Sequence, residues 1–493
     1  MSFMSSGRSI AQNAAWLMIA TTGQKVLAFL AFTIAAPIVG PSVIGEYFYS
    51  IAVTSTFVIL ADLGMTPVVI RAIAAGEEEG RRLLGAAVRL KLLLIPVAIL
   101  AALVFVVLGK VSTVILTSTA LATLVMSADA VHLLLYGSLR GRQKLQYEAV
   151  GMLIGQVLSA ITAVSAAVLG WGAPGLVFAL LLGSVWNVGW SWAQTRLHDL
   201  VPLMPTRADI RSLMRQALPF ALAGLFVKVY SYLDTLMINA FHGSVAVGNY
   251  AVAYKVTYAL QYIPLVFTAA LFPAMSLVHA NGDRDKLKTV FSGSLRMMAL
   301  IGAPLAAGLS AIADRFVPQV YGLEFLGAVA VLEILPWVLL PIFLDFPIGS
   351  LLNATHRAHL KTIAMGATMV LNAVLNVLLV PRFGPVGAAW ASAASFWFLM
   401  VVGLWFTRRD LPSVSWFVSL LARSGVVCTV TWLAVRGPGA IMPLPFTILF
   451  GGACGVVALL LTKLLLVEDL RVALGWLKRR VKGPDPIDEA MHQ

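Results

Sequence analysis

The amino-acid sequence predicts an all-α polytopic membrane protein. It reads as fourteen transmembrane helices: two six-helix bundles of like orientation around a central cavity, plus two extra C-terminal helices. Three observations predict this. Of 493 residues, 60% are apolar and only 12% charged, against about 25% charged in soluble domains, and the mean hydropathy is +0.90. The apolar residues form uncharged runs of about 20, the length a helix needs to cross a bilayer, whereas barrel strands would alternate every second residue. The basic residues gather on alternate connections, as cytoplasmic loops require.

The first six spans cover roughly 11–38, 46–70, 83–108, 112–138, 149–170 and 174–196. The next six cover roughly 213–241, 248–275, 290–312, 326–352, 360–380 and 385–407, and two more lie near 413–435 and 441–466. The connections justify each in turn. Arg8 precedes the first span, and Arg71, Arg81, Arg82, Arg89 and Lys91 separate the second from the third. Arg140, Arg142 and Lys144 follow the fourth; Arg196, Arg207, Arg211 and Arg215 follow the sixth. Arg284, Lys286, Lys288 and Arg296 follow the eighth, Arg357 and Lys361 the tenth, and Arg408 and Arg409 the twelfth. Only Lys110, Arg315, Arg382 and Arg436 fall on the opposite side. This split predicts that both termini are cytoplasmic. It also accounts for most of the net charge of +13 without nucleic acid as a partner.

Pro336, Pro341 and Pro347 should kink or break the tenth span. The expected division is 1–200 and 201–410 for the two bundles, 411–467 for the added helices, and 468–493 for a basic cytoplasmic tail. Within 467–493, Leu470, Val472, Leu474, Trp476 and Leu477 suggest a short interfacial helix ended by Gly483-Pro484. The first apolar segment has no short signal-type core before a small-residue cleavage site, so it is expected to be a retained span. Cys428 and Cys454 lie in apolar runs and suggest neither a disulfide framework nor a metal. The outer connections are short, which argues against a membrane glycosyltransferase or ligase with its active site on a large outer loop.

The chain repeats itself. Gly40-Pro-Ser-Val-Ile-Gly45-Glu-Tyr47 recurs as Gly243-Ser-Val-Ala-Val-Gly248-Asn-Tyr250, 203 residues on, and Val53-Thr54 falls on Val256-Thr257. At an offset of 212, Gly137-Ser138-Leu139 falls on Gly349-Ser350-Leu351, and Gly172 and Gly175 fall on Gly384 and Gly387. An even number of spans per repeat gives parallel halves related by an axis along the membrane normal.

The repeat selects candidate residues. Lys25 and Lys228 occupy equivalent mid-span positions; charges at that depth usually face a cavity, the alternative being snorkelling to the headgroups. Lys255 lies nearer a span end, beside Tyr250, Tyr254, Tyr258 and Tyr262, which recur every four residues. Such rings and hydroxyls suit sugars, or simply helix packing. Among the intramembrane acids Asp62, Asp129, Asp234, Glu333 and Asp345, we single out Asp62, Asp234 and Asp345 for ion coupling or a polar network. Arg423 reads as a snorkelling side chain. His356 and His359 sit among basic residues, so a solvated loop is expected there and no metal.

The segment Gly40–Arg71, with Gly45-Glu-Tyr47 and Ala61-Asp62-Leu63-Gly64, resembles the start of polysaccharide-export proteins. With Tyr232-Leu-Asp234, Phe272-Pro273-Ala-Met-Ser276 and Asn372-x3-Asn376-x4-Pro381-x2-Gly384-x2-Gly387, the chain resembles Wzx-type flippases over roughly residues 5–410. These belong to the multidrug/oligosaccharidyl-lipid/polysaccharide exporter superfamily. The resemblance implies alternating-access transfer of an undecaprenyl-pyrophosphate-linked oligosaccharide, for O-antigen, capsule or exopolysaccharide, across a bacterial inner membrane. It implies no catalytic residues and no cofactor. The implied partners are the lipid-linked oligosaccharide, membrane lipids, and a polysaccharide polymerase with its chain-length proteins. The lysines would then hold the pyrophosphate, whose burial without cations is prohibitive. The alternative within the superfamily is a cation-coupled multidrug exporter, favoured by the buried acids and disfavoured by the lysines.

Overall fold

A computed structural model describes residues 2–465, with side chains from Trp16 onward apart from several positions between 222 and 270. The tail, including the interfacial helix expected over 467–493, lies outside the described residues. The described chain is helical throughout and contains no strand. In order, the helices are α1 (Ser2–Asp62), α2 (Met65–Ala75), α3 (Glu77–Leu108), α4 (Thr113–Gly141) and α5 (Leu145–Val168). Next come α6 (Gly172–Leu197), α7 (Arg207–Ala259), α8 (Tyr262–Ala280), α9 (Arg284–Ala311) and α10 (Ala313–Val320). The last are α11 (Gly327–Ile334), α12 (Leu339–Ala354), α13 (Ala358–Thr407), α14 (Val414–Arg436) and α15 (Leu444–Leu461).

Three long helices are each two helices joined at a glycine. Gly40 (φ 79°, ψ 171°) breaks α1, Gly243 (φ 76°, ψ −178°) breaks α7, and Gly384 (φ 56°, ψ −134°) breaks α13. These conformations are essentially reserved for glycine. They recur at repeat-equivalent positions: Gly40 matches Gly243, and Gly384 matches Gly172, whose φ is 62°. Ten stretches of described residues are long and apolar enough to cross a membrane. Two of them, Trp16–Asp62 and Ala358–Asp410, contain such a break and read as pairs. With the pair across Gly243, the architecture is consistent with fourteen crossings.

Some boundaries differ from the sequence reading. The second span, expected to run to residue 70, ends at Asp62: Leu63 (φ 43°) and Gly64 (φ 68°) turn left-handed, and α2 starts afresh. The eighth is interrupted between α7 and α8, at Leu260 and Gln261. The proline-rich tenth span breaks into α11, a 3-10 turn at Leu335–Val338 and α12. Proline has no N–H to donate and its ring crowds the preceding turn. The connection ahead of α7 ends in a capping box, in which Thr206 and Asp209 satisfy each other's backbone N–H groups.

The described chain divides into two compact units. Unit 1 comprises residues 1–262, 317–331 and 366–395. In it α1 lies along α7 and α5, while α6 packs on α4 and α5. The contact of α1 with α7 is closest at the repeated motif. A methyl at Gly45 would strike the Ser244 carbonyl, and one at Gly248 would strike the Pro41 carbonyl, a reciprocal pair under the repeat. His242 Nε2 donates to the Val380 carbonyl at 2.8 Å, laying the imidazole over Gly384. Met65, Val69, Leu84, Leu139, Leu200 and Leu213 share one core that ties α2, α3, α4 and the connection before α7 together.

Unit 2 comprises residues 263–316, 332–365 and 396–493. Here α9 packs against α12 and α14, and α15 against α14. Arg315 clasps the turn before α15, donating to Gly439 O at 3.0 Å, Thr447 Oγ1 at 2.9 Å and Met442 O. Arg436 pairs with Glu333. Cys428 is buried, and its thiol approaches the Ala303 carbonyl at 3.4 Å.

Candidate functional site

The site begins with the pairing of α1 and α7, which brings Lys25, Lys228 and Lys255 into unit 1. Each ammonium lies near an aromatic ring. Lys25 Nζ is 5.8 Å from the Tyr262 ring centroid and Lys228 Nζ is 5.7 Å from that of Tyr232. Lys255 Nζ is 5.4 Å from Phe48 and 5.9 Å from Phe32, both on α1. Such contacts contribute about 0.5–2 kcal/mol each, and they leave all three protons of the ammonium unspent. Lys25 and Lys255 are also within electrostatic reach of one another. Among the described residues no carboxylate pairs with any of the three. The predicted tyrosines form a ladder: Tyr254 stacks on Tyr258 at 4.3 Å and 27°, and Tyr250 lies 6.0 Å from Tyr254. Tyr47 lies near Tyr232, and Tyr254 lies near Asp234, Tyr232 and Tyr262.

A cavity of about 130 Å³ adjoins this cluster. Lys255, Tyr47, Phe32, Gln156 and Ser159 line it, with alanines of α1 and α5 between them. That volume accommodates a few waters.

The acids behave differently from the lysines. Asp62 accepts from Lys91 Nζ at 2.6 Å and from Thr66 Oγ1 at 3.1 Å. Lys91, counted above with the charges of a connection, is instead buried within α3. Asp129 accepts from Ser184 at 2.6 Å and lies 3.0 Å from His132 Nε2. Asp345 pairs with Lys361 in unit 2. Asp234 is buried and accepts from the Tyr250 hydroxyl and the Thr235 N–H. It has no basic partner among the described residues. His356 lies near His279, with ring centroids 6.3 Å apart, and among the described residues no cluster of three metal-ligating side chains occurs.

Sequence reasoning missed Tyr47, Tyr232, Phe32, Phe48 and Lys91 as neighbours of the charged groups. One signal was available: Tyr47 is the repeat partner of Tyr250.

Comparisons with known proteins complete the picture. Residues 10–279 match the profile of the family described as "Polysaccharide biosynthesis protein", and residues 219–378 that described as "MatE". A probable low-salt glycan biosynthesis flippase of Haloferax volcanii is 28% identical over 390 residues, covering 78% of this chain and 81% of that one. Among solved structures, the lipid II flippase MurJ in an inward closed conformation superposes with a TM-score of 0.75 at 15% identity. That match covers 92% of this chain and 99% of that one. An inward-facing multidrug resistance MATE family transporter of the MOP superfamily gives 0.67 at 17% identity, covering 78% and 94%. The two superpositions establish a shared fold.

Proposed function

Because the chain belongs to the polysaccharide biosynthesis protein family, within the multidrug/oligosaccharidyl-lipid/polysaccharide exporter superfamily, we propose that it is a flippase for lipid-linked saccharide. It acts as a transporter and not as an enzyme. The substrate is an undecaprenyl-pyrophosphate-linked oligosaccharide destined for O-antigen, capsule or exopolysaccharide, carried from the inner to the outer leaflet of the bacterial inner membrane. The 1–200 and 201–410 halves rock against one another, parting and rejoining at the contact of α1 with α7, giving alternating access. Both termini face the cytoplasm.

One observation supports this reading: three lysines within apolar helices, each beside an aromatic ring and none with a carboxylate partner among the described residues, two of them, Lys25 and Lys255, within reach of one another. A dry pyrophosphate needs cations. Lys25 is exposed and Lys228 and Lys255 are half-buried, so an arriving anion can reach the ammonium groups. Tyr254, Tyr258 and Tyr262 flank the lysines and would contact the first sugars. The test is glycan export in a deletion strain. Loss of the protein should accumulate lipid-linked oligosaccharide on the inner leaflet. Lys25→Gln and Lys228→Gln should each fail to complement, while Lys→Arg should do so in part, because guanidinium keeps the charge and changes the geometry. Normal export by the double Gln variant would refute the site.

A second reading, a cation-coupled multidrug exporter, draws on Asp234, a buried carboxylate without a basic partner among the described residues. Drug sensitivity of the deletion strain with no glycan defect would favour it.

A further inference from the structure

We propose that a separate cavity within unit 2 is a binding subsite for the uncharged saccharide portion of the substrate. The proposal rests on the flippase reading and concerns the saccharide portion of the substrate alone. The cavity measures about 430 Å³, within the usual range for small-molecule sites. Thr268 and Phe272 of α8 form one side, Asp345, Gly349 and Asn353 of α12 another, and Lys361 of α13 closes it.

The chemistry of this lining selects for a polyol. Lys361 donates to the Asp345 carboxylate, and both side chains are largely buried. Their charges cancel, so neither a bare anion nor a bare cation is favoured. The pair nevertheless keeps spare lone pairs on Asp345 and an unspent proton on Lys361. The Ser350 and Thr268 hydroxyls donate at 3.0 Å to the carbonyls of Phe346 and Pro264, which leaves their oxygens free to accept. Asn353 is exposed to the cavity and brings two donors and an acceptor. Phe272, 44% exposed, offers an apolar face to the C–H side of a sugar ring. Alternating donors and acceptors beside one aromatic ring, at zero net charge, match a neutral sugar better than a lipid headgroup.

The repeat shows that the fold does not create this space by default. Gly349-Ser350-Leu351 corresponds to Gly137-Ser138-Leu139 in the first half. A methyl on Gly137 would press at 3.0 Å on Thr66 Cγ2 and at 3.4 Å on Ile70 Cγ1, so the first copy is packed shut. A methyl on Gly349 would meet nothing nearer than Lys361 Cε at 3.7 Å. The second copy stays open.

The test uses the full-length protein in nanodiscs and two probes. One is the lipid-linked oligosaccharide extracted from a strain of the source organism lacking the gene, and the other is undecaprenyl diphosphate. The wild type should bind the glycosylated probe about tenfold tighter or more. Gly349→Leu, which fills the cavity, should bring that affinity down to the level of undecaprenyl diphosphate and leave the latter unchanged. Phe272→Ala and Asn353→Ala should narrow the ratio in the same direction, and they decide the matter if the leucine variant does not fold. Variants that keep the wild-type ratio, or a wild type with no preference for the glycosylated probe, overturn the subsite alone. A wild type that binds neither probe sinks the flippase reading and the subsite with it.

Discussion

The buried pair between Asp62 and Lys91 yields an asymmetric prediction. Lys91 is 2% exposed and Asp62 30%, with 2.6 Å between Nζ and Oδ1. At an effective dielectric of about 20, unit charges at that separation attract by roughly 6 kcal/mol, which offsets a desolvation cost of several kcal/mol for the ammonium. Asp62→Asn removes the anion and leaves Lys91 buried with an uncompensated charge, which should cost about 3–5 kcal/mol. Lys91→Met leaves Asp62 with partial solvent contact and the Thr66 hydroxyl at 3.1 Å. Its cost should be about 1.5–3 kcal/mol, one hydrogen bond to a charged group. The double variant should recover most of the loss of Asp62→Asn, because no stranded charge remains. Unfolding in detergent, followed at fixed lipid and salt, measures all three. Equal destabilisation by the two single variants, or a double variant as unstable as Asp62→Asn, would refute the reasoning. The same variants should export glycan normally per folded molecule, since the pair holds α3 to the end of α1 and touches none of the three candidate lysines.

Further predictions follow from the α1–α7 contact and from the capping box. Gly45→Val or Gly248→Val should force the two backbones apart, at about 1–3 kcal/mol each, and should abolish export while the protein still reaches the membrane. The Ser42 and Ser244 Oγ atoms lie 3.4 Å apart, so paired Cys substitutions there should cross-link; export should stop until a reductant is added, and undiminished export after complete cross-linking would contradict a moving contact. Thr206→Ala should cost about 1 kcal/mol, read as a lowered unfolding midpoint. Hydrogen bonds from the Thr206 N–H and hydroxyl hold the Asp209 carboxyl below its ordinary value of 3.8. The stabilisation from that cap is therefore complete above this pH and fades as pH falls through the lower folded value, and Thr206→Ala, which keeps the N–H, should remove only the hydroxyl's share of the acid sensitivity.

Most of the membrane architecture is legible in the sequence because hydrocarbon punishes unpaired charge. Basic residues accumulate where the chain leaves the bilayer, and apolar runs mark where it crosses. The glycine reversals are legible too, since Gly40 and Gly243 stand at equivalent places and their backbone admits little else. Short-range breaks are less visible. The apolar pattern runs on through Leu63 and Gly64, where a left-handed turn, not a change of polarity, ends α1. Pairings across helices are hidden altogether: Asp62 meets Lys91, Lys255 meets Phe32 and Phe48, and Arg315 meets Gly439. Lys91 was obscured in particular because an intramembrane lysine a few residues past Arg81 and Arg82 looks like one more loop charge. What the repeat could deliver was the equivalence of Lys25 and Lys228, not the rings they lie against.

The glycine reversals also govern how the protein is met from outside its membrane. Proteases, antibodies and phage tail fibres need several residues of projecting, extended chain to grip. At Gly40, Gly243 and Gly384 the chain turns back on one non-helical residue, so these reversals present almost nothing to them. An epitope tag or reporter inserted there would have to unwind two helices to be seen. At those three breaks the chain offers a binder little to grip.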